Sequence, residues 1–108
     1  MSLKNNVVII TGASTGIDEE LAYRMAKQGA HLVLTARRLD ELNRVADHAR
    51  SLGAENGTKV ITVSADVAKA DECKSIIDAA VAGFGRIDTL ICNAGMTMWA
   101  KLDRKSVV

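Results

Sequence analysis

Residues 7–18 read VVIITGASTGID, an apolar run that leads through a glycine-bearing turn into an amphipathic segment. The β-branched run over residues 6–10 predicts a strand covered on both faces of a parallel sheet. Gly12 and Gly16 allow a tight turn after it, and the following helix would present unpaired N–H groups to an anion. The stretch therefore predicts a phosphate-binding turn. A plain tight turn with an N-cap residue is the alternative.

The rest of the chain alternates strand and helix patterns. Further strands are predicted over residues 30–36, 59–64 and 88–92, and helices from residue 17 to Gly29 and over residues 39–52. A third helix is predicted to end at Gly83 and Gly85 and to bury one face, formed by Cys73, Ile76, Ile77, Ala80, Val81 and Phe84.

Helical crossovers of this length connect parallel strands with right-handed topology. The sequence therefore predicts an α/β fold, a Rossmann-type three-layer, doubly wound parallel sheet of four strands in the order 3-2-1-4. Residues 1–108 form a single domain in this interpretation, and from its length we expect it to be half of a larger unit.

Composition narrows the possible functions. The 108 residues are 48% hydrophobic and 25% charged, as in ordinary globular proteins. Because 14 basic residues are matched by 13 acidic ones, nucleic acid is not an expected partner. No apolar run approaches the roughly 18 residues of a membrane-spanning helix, so we expect no membrane contact and a cytoplasmic location.

Cysteine and histidine give no metal-binding pattern. Cys73 and Cys92 have no second pair, which favours buried thiols in a reducing compartment over a zinc site or a disulfide framework. His31 and His48 belong to different elements and have no carboxylate-rich motif nearby, so neither a metal site nor a general base is expected. A solvated surface position is the expectation for His48.

The end of the second strand indicates which dinucleotide would bind. An NAD site carries an acidic residue about 20 positions after the glycine turn, where it accepts hydrogen bonds from the ribose hydroxyls. Ala36 occupies this place, and Arg37 and Arg38 follow it. Guanidinium groups suit a 2′-phosphate, so the pattern favours NADP over NAD. Alternatively, the two arginines form a solvated surface at the start of a helix.

Two further groups follow the third and fourth strands. Asp66 and Val67 are placed to meet the edge and the face of an adenine ring, although Asp66 could instead cap a helix. Asn93, Ala94 and Gly95 are small residues that let backbone approach a ligand closely, and they could also form only a turn. Because the carboxyl ends of parallel strands converge on one crevice, all four groups are expected to meet there.

Together these motifs resemble the short-chain dehydrogenase/reductase family over nearly the whole chain, to about Ala100. Ala22 and Tyr23, together with residues 29–37, are most similar to NADP-preferring members akin to 11β-hydroxysteroid dehydrogenases. The resemblance implies NADP as cofactor, with NAD less favoured, and a set of cofactor-binding residues: Gly12, Ser14, Thr15, Gly16, Ile17, Arg37, Arg38, Asp66, Val67, Asn93, Ala94 and Gly95.

The resemblance implies no catalytic residue within the chain. In the family, hydride transfer between nicotinamide and a carbonyl or alcohol depends on a Ser, an Asn and a Tyr-x-x-x-Lys pair that would follow this sequence. Tyr23 and Lys27 have that spacing, but they lie in the first helix, away from the nicotinamide. The chain alone is therefore expected to be inactive, and a small carbonyl or alcohol would be a substrate only if the missing half were supplied.

Asp18 departs from the family pattern because it stands where a third glycine is expected. A carboxylate there suits the helix N-terminus but repels a phosphate, so weak NADP(H) binding is predicted. The alternative function is a non-catalytic nucleotide-binding or structural half-Rossmann module whose site Asp18 disables. The fourth strand is expected to leave an apolar edge and face open, which predicts self-association.

Overall fold

The computed structural model describes residues 4–12, 16–66 and 69–91, and of Ile17 the backbone alone. The strands are β1 (Val7–Thr11), β2 (His31–Ala36), β3 (Val60–Ser64) and β4 (Thr89–Ile91). The helices are α1 (Gly16–Lys27), α2 (Leu39–Leu52) and α3 (Ala70–Phe84), with a short 3-10 helix over Ala54–Asn56 in the loop before β3.

The strands form one parallel sheet in the order β3-β2-β1-β4, which confirms the predicted topology. Val8 of β1 lies opposite Leu32 of β2 on one side and Thr89 of β4 on the other. Leu32 in turn lies opposite Val60 of β3. The strand order changes direction at β1, so the crevice of a doubly wound sheet falls at the carboxyl ends of β1 and β4.

The helices cover both faces of the sheet and give it three layers. On one face, Ile10 and Leu34 pack in a core with α1 and α2, where Ala22 and Leu42 are fully buried. On the other face, Ile9 and Val33 pack with Cys73, Ile76 and Ala80 of α3. Alternate residues of β1 and β2 thus enter opposite cores, which explains the unbroken apolar runs over residues 7–10 and 32–34.

The end of α3 differs from the prediction in two details. Gly83 lies inside the helix, and Gly85 ends it in the left-handed region, with φ 78° and its N–H donating to the Val81 carbonyl over 2.8 Å. Val81 is 50% exposed and not part of the buried face. The buried stripe runs through Cys73, Ile76 and Ala80, and the next residue along the helix is rotated by about 100° toward solvent.

The structure bears on three further features: the burial of the cysteines, membrane-spanning helices and metal-binding clusters. Cys73 is buried, as predicted, whereas Cys92 lies outside the described residues. Among residues 4–12, 16–66 and 69–91, no helix combines the length and the apolar character needed to cross a bilayer. The same ranges contain no cluster of three or more His, Cys, Asp or Glu side chains that could hold a metal ion.

Candidate functional site

The carboxyl ends of β1, β2 and β3 bring three of the predicted groups to one edge of the sheet. Thr11, before Gly12, lies opposite Thr35 of β2. Ala36, before Arg37, lies opposite Ser64 of β3. The register of the sheet therefore aligns the glycine turn, the arginine pair and Asp66 in that order along a single edge.

Gly12 and Gly16 have φ angles of 67° and 56°, in the left-handed region that side chains rarely adopt. At Gly16 a Cβ would meet no atom within 4 Å, so glycine is needed there for its backbone conformation and not for space. Gly16 is also the first residue of α1, whose initial N–H groups have no partner within the helix. Gly12 and Gly16 thus have backbone conformations that favour glycine, as predicted for the two ends of a tight turn.

Asp18 lies in the first turn of α1 and is only 6% exposed. Its Oδ2 atom would be 3.6 Å from a Cβ placed on Gly12. The carboxylate is therefore directed back toward the glycine turn and not into solvent. A buried carboxyl group thus adjoins the place where the sequence predicts a phosphate.

Glu19, beside Asp18, is held by residues of both α1 and α2. Its carboxylate accepts hydrogen bonds from the Arg44 guanidinium at 3.2 and 3.3 Å and from the Tyr23 hydroxyl at 2.8 Å. The Arg44 hydrogen bonds, followed by that of Tyr23, lower the pKa of Glu19. Since Arg44 also pairs with Glu41 at 3.2 Å, its charge is already balanced by carboxylates.

The pKa of Tyr23 is shifted upward, in contrast to that of Glu19. Burial, and then its hydrogen bond to Glu19, raise the pKa of the phenol above its usual value. A tyrosine acting as general acid or base near neutral pH needs a pKa shifted downward. The Tyr23 ring also packs edge-on against His48 of α2, with ring centroids 4.4 Å apart. This environment agrees with the expectation that Tyr23 has no catalytic role, which stays a prediction. His48 is exposed, as expected.

Arg37 and Arg38 are both exposed at the end of β2. Arg38 is the N-cap residue of α2 and approaches Asp40 at 3.5 Å, where both side chains are more than 70% exposed. Such a pair contributes little to stability, and its arginine can exchange partners. No described residue forms an ion pair with Arg37, whose carbonyl accepts a hydrogen bond from the Ser64 hydroxyl at 3.1 Å. Arg37 is thus anchored by its backbone while its charge faces solvent.

Asp66 follows β3 and is half-buried. Asp66 was alternatively expected to cap a helix, but the N-cap residue of α3 is Lys69. The Asp66 N–H donates to Glu72 Oε1 over 2.9 Å. Sequence reasoning missed this contact. The signal was present, because Glu72 is the third residue of α3, the position from which a glutamate reaches back to backbone N–H groups before a helix.

Several predicted site residues cannot be compared with the structure. Those outside the described residues are Ser14, Thr15, Val67, Asn93, Ala94 and Gly95, and the Ile17 side chain is not described. The structure brings together Gly12, Gly16, Arg37, Arg38 and Asp66, on one edge of the sheet.

Known proteins share this architecture. The family model of the short chain dehydrogenase matches residues 6–107. The chain belongs to the short-chain dehydrogenase family. Over 96 residues it is 54% identical to 11-beta-hydroxysteroid dehydrogenase 1A of Arabidopsis thaliana, a match that covers 89% of this chain and 27% of that protein. It is 50% identical over 97 residues to 11-beta-hydroxysteroid dehydrogenase A of Sesamum indicum, a match that covers 90% of this chain and 27% of that protein. The chain thus spans about a quarter of these relatives' length and matches their N-terminal part.

Solved structures of short-chain dehydrogenases superpose on the chain. Hydroxysteroid dehydrogenase from Escherichia coli has a TM-score of 0.79 and 32% identity, covering 88% of this chain and 37% of that one. L-sorbose reductase from Gluconobacter frateurii, complexed with NADPH and L-sorbose, has a TM-score of 0.77 and 39% identity, covering 88% and 35%. An NAD+-bound xylitol dehydrogenase has a TM-score of 0.78 and 27% identity. The match covers 88% of this chain and 35% of that one. These findings confirm the predicted family and Rossmann-type fold.

The family binds a nicotinamide dinucleotide. Because NADPH-bound and NAD+-bound members both superpose on this chain, the fold itself does not choose between the two cofactors. In dinucleotide-binding folds of this type, that choice is generally made by a side chain near the end of the second strand. The resemblance to 11β-hydroxysteroid dehydrogenases, predicted from residues 29–37, is confirmed by the plant relatives of that name.

Proposed function

We propose that this chain is the NADP(H)-binding portion of a short-chain oxidoreductase that interconverts a carbonyl and an alcohol. The observation that carries the proposal is the solvent-facing charge of Arg37, the first residue after β2. Ala36, the last residue of β2, stands where an NAD site has an acidic residue. A guanidinium there can donate forked, charge-assisted hydrogen bonds to a 2′-phosphate, whereas it offers nothing comparable to a 2′-hydroxyl.

In this proposal, residues of the chain would contact five parts of the cofactor. The Gly12–Gly16 turn and the first N–H groups of α1 would hold the pyrophosphate, supported by Ser14 and Thr15. Arg37 and Arg38 would hold the 2′-phosphate. Asp66 and Val67 would flank the adenine, Asn93 to Gly95 would approach its ribose, and Ile17 would lie toward the nicotinamide.

When bound, the nicotinamide supplies or accepts a hydride at the carbonyl carbon. The residues proposed here bind and orient the dinucleotide, and none is assigned a proton-transfer step. Residues 1–108 would form a single incomplete dinucleotide-binding domain, and the 108-residue polypeptide by itself would not turn over substrate. An assay that follows NADPH absorbance in the presence of aldehydes or ketones is expected to show no carbonyl-dependent oxidation.

The buried carboxylate of Asp18 favours a second candidate, a non-catalytic nucleotide-binding or structural half-Rossmann module. Its negative charge beside Gly12 opposes the phosphate that the turn would otherwise attract. The two candidates differ in their response to ligand. A functional cofactor site is stabilised by ligand binding, whereas a structural module is indifferent to it.

Thermal unfolding with NADPH, with NADH and without ligand tests the proposal. We expect NADPH to raise the Tm more than NADH does, and Arg37→Ala to weaken NADPH binding about tenfold while leaving NADH binding unchanged. Arg24→Ala is the matched control, since Arg24 is an exposed arginine of α1 that pairs with Glu20. Equal stabilisation by both dinucleotides would overturn the NADP preference. No response to either would favour the structural module.

A further inference from the structure

One side chain, that of Glu72, ties the start of α3 to the end of β3. Its Oε1 atom accepts the Asp66 N–H at 2.9 Å, and its Oε2 atom lies 3.7 Å from Lys69 Nζ. The Lys69 N–H donates to the Asp66 carbonyl over 3.1 Å. Glu72 is one-third exposed, so its contact with Asp66 is partly shielded from water. The backbone of Asp66 is therefore hydrogen-bonded both to the Glu72 side chain and to the Lys69 N–H.

Asp66 is also held from the side of the sheet. The N–H of Ala65, immediately before it, donates to the Ala36 carbonyl over 3.1 Å. Ala36 is the last residue of β2 and precedes Arg37. The backbone at Asp66 is thus anchored to β2 on one side and to α3 on the other. The anchor to β2 uses backbone atoms alone, whereas the anchor to α3 includes the Glu72 carboxylate, whose charge strengthens its hydrogen bond.

We propose that Glu72 is a positioning residue for the adenosine half of the dinucleotide. This inference rests on the proposed function, because it takes Asp66 as the residue that meets adenine. Glu72 acts through the Asp66 backbone and does not touch the ligand. Fixing that backbone before binding removes the cost of ordering it when the ligand arrives.

Electrostatic repulsion and positioning predict opposite effects of removing the Glu72 carboxylate on ligand binding. The Glu72 carboxylate of α3 contacts Asp66, beside which the anionic ligand would bind, so its removal would tighten binding if charge were decisive. Positioning predicts that Glu72→Ala weakens binding, because the Asp66 N–H loses its acceptor. It also predicts that Glu72→Gln preserves binding, since the amide oxygen still accepts a hydrogen bond. The direction of the change therefore separates the two explanations.

Calorimetric titration of the full 108-residue chain with NADPH and with 2′,5′-ADP, which contains only the adenosine half, provides the test. Glu72→Ala is expected to raise the Kd of both ligands about tenfold, and Glu72→Gln to stay within about twofold of wild type. Asp71→Ala is the matched control, because Asp71 is an exposed acid of the same helical turn. It should also stay within about twofold.

The possible results distinguish this inference from the function on which it rests. A wild-type chain that binds neither ligand would overturn the proposed function. If wild type binds but Glu72→Ala binds equally well or more tightly, the positioning role is wrong and the proposed function stands. Amide hydrogen exchange at Asp66 gives a check without ligand. It should accelerate about tenfold in Glu72→Ala, and no acceleration there would also overturn the inference.

Discussion

At Asp18, the stability of α1 and the binding of a phosphate impose opposite requirements on one side chain. A carboxylate in the first turn of a helix interacts favourably with the helix dipole, by roughly 0.3–1 kcal/mol. The same charge, about 5 Å from a phosphate at an effective dielectric constant near 20, is repelled by roughly 3 kcal/mol before screening. Because Asp18 is buried and directed toward Gly12, water screens this repulsion less than it would at the surface.

We therefore predict that Asp18→Gly binds NADPH up to about a hundredfold more tightly than wild type, the affinity equivalent of roughly 3 kcal/mol. The same substitution should lower the free energy of unfolding by roughly 1 kcal/mol, because it removes the favourable charge and adds glycine flexibility to α1. Calorimetric titration and thermal unfolding of the unliganded protein measure the two effects separately.

Asp18→Asn is the control that separates charge from packing. It keeps nearly the volume of the side chain and removes its charge, so it should recover most of the affinity if repulsion is decisive. If Asn leaves the Kd unchanged while Gly lowers it, the obstacle at residue 18 is steric. Equal affinity of wild type and both variants would show that the charge at this position has no influence on binding.

At the scale of the elements, two glycines that look alike in the sequence have different packing roles. A Cβ on Gly53, which follows α2, would lie 2.5 Å from the Thr58 side chain and 2.7 Å from the Ala26 carbonyl oxygen. Thr58 itself donates to that carbonyl over 3.1 Å, so it cannot move without losing a buried hydrogen bond. A Cβ on Gly83, inside α3, would meet the end of the Ile61 side chain, which is half-buried and flexible.

Gly53→Ala is therefore predicted to lower the free energy of unfolding by about 1–3 kcal/mol, the usual cost of overpacking a rigid contact. Gly83→Ala is its matched partner and should fall within about 1 kcal/mol of wild type, because improved helix propensity offsets the displacement of Ile61. Urea unfolding of both variants measures the difference. A Gly83 variant as unstable as the Gly53 variant would mean that the sheet and α3 do not adjust at Ile61.

The elements that the sequence predicted well are those with strong local signals. The apolar runs of β1 and β2 and the helical spacing of α2 identify the elements, and crossover length then fixes the strand order. Val81 was assigned to the wrong face because periodicity tolerates an error of one position at the border of an apolar stripe. Gly83 was taken as a helix end because a local pattern does not reveal that Gly85 supplies the left-handed residue.

The strand ends around the candidate site were predictable from the sequence, but the side-chain contacts there were not. The turn at Gly12 and the arginine at residue 37 follow from strand ends, which motif spacing locates. The orientation of Asp18 toward Gly12 and the Glu72 hydrogen bond to Asp66 arise from tertiary packing, which depends on how α1 and α3 dock on the sheet. Side-chain direction of this kind is not encoded in spacing alone.

At the scale of the whole molecule, β4 is the strand next to β1 at one edge of the described sheet. Asp88 secures its start, since Asp88 Oδ2 accepts the Val7 N–H at 2.8 Å and the Asp88 N–H donates to the Val7 carbonyl at 2.9 Å. Leu90 and Ile91 are buried, so apolar side chains of β4 are not the exposed feature that the sequence suggested. Across residues 4–12, 16–66 and 69–91, no strand pairs with the outer edge of β4.

Self-association therefore stays a prediction, now resting on unpaired strand backbone and not on an apolar face. We expect sedimentation velocity to show a concentration-dependent dimer, and Thr89→Lys, which places a charge on the half-buried residue of β4, to raise the dimer Kd about tenfold. Thr62→Lys, at a half-buried position of the opposite edge strand β3, is the control and should leave the Kd unchanged. If wild type sediments as a monomer at every concentration, the edge of β4 does not associate. If both lysine variants weaken the dimer equally, the added charge acts without regard to which edge strand carries it. Pairing through β4 would then be wrong, because it predicts that only Thr89→Lys weakens the dimer.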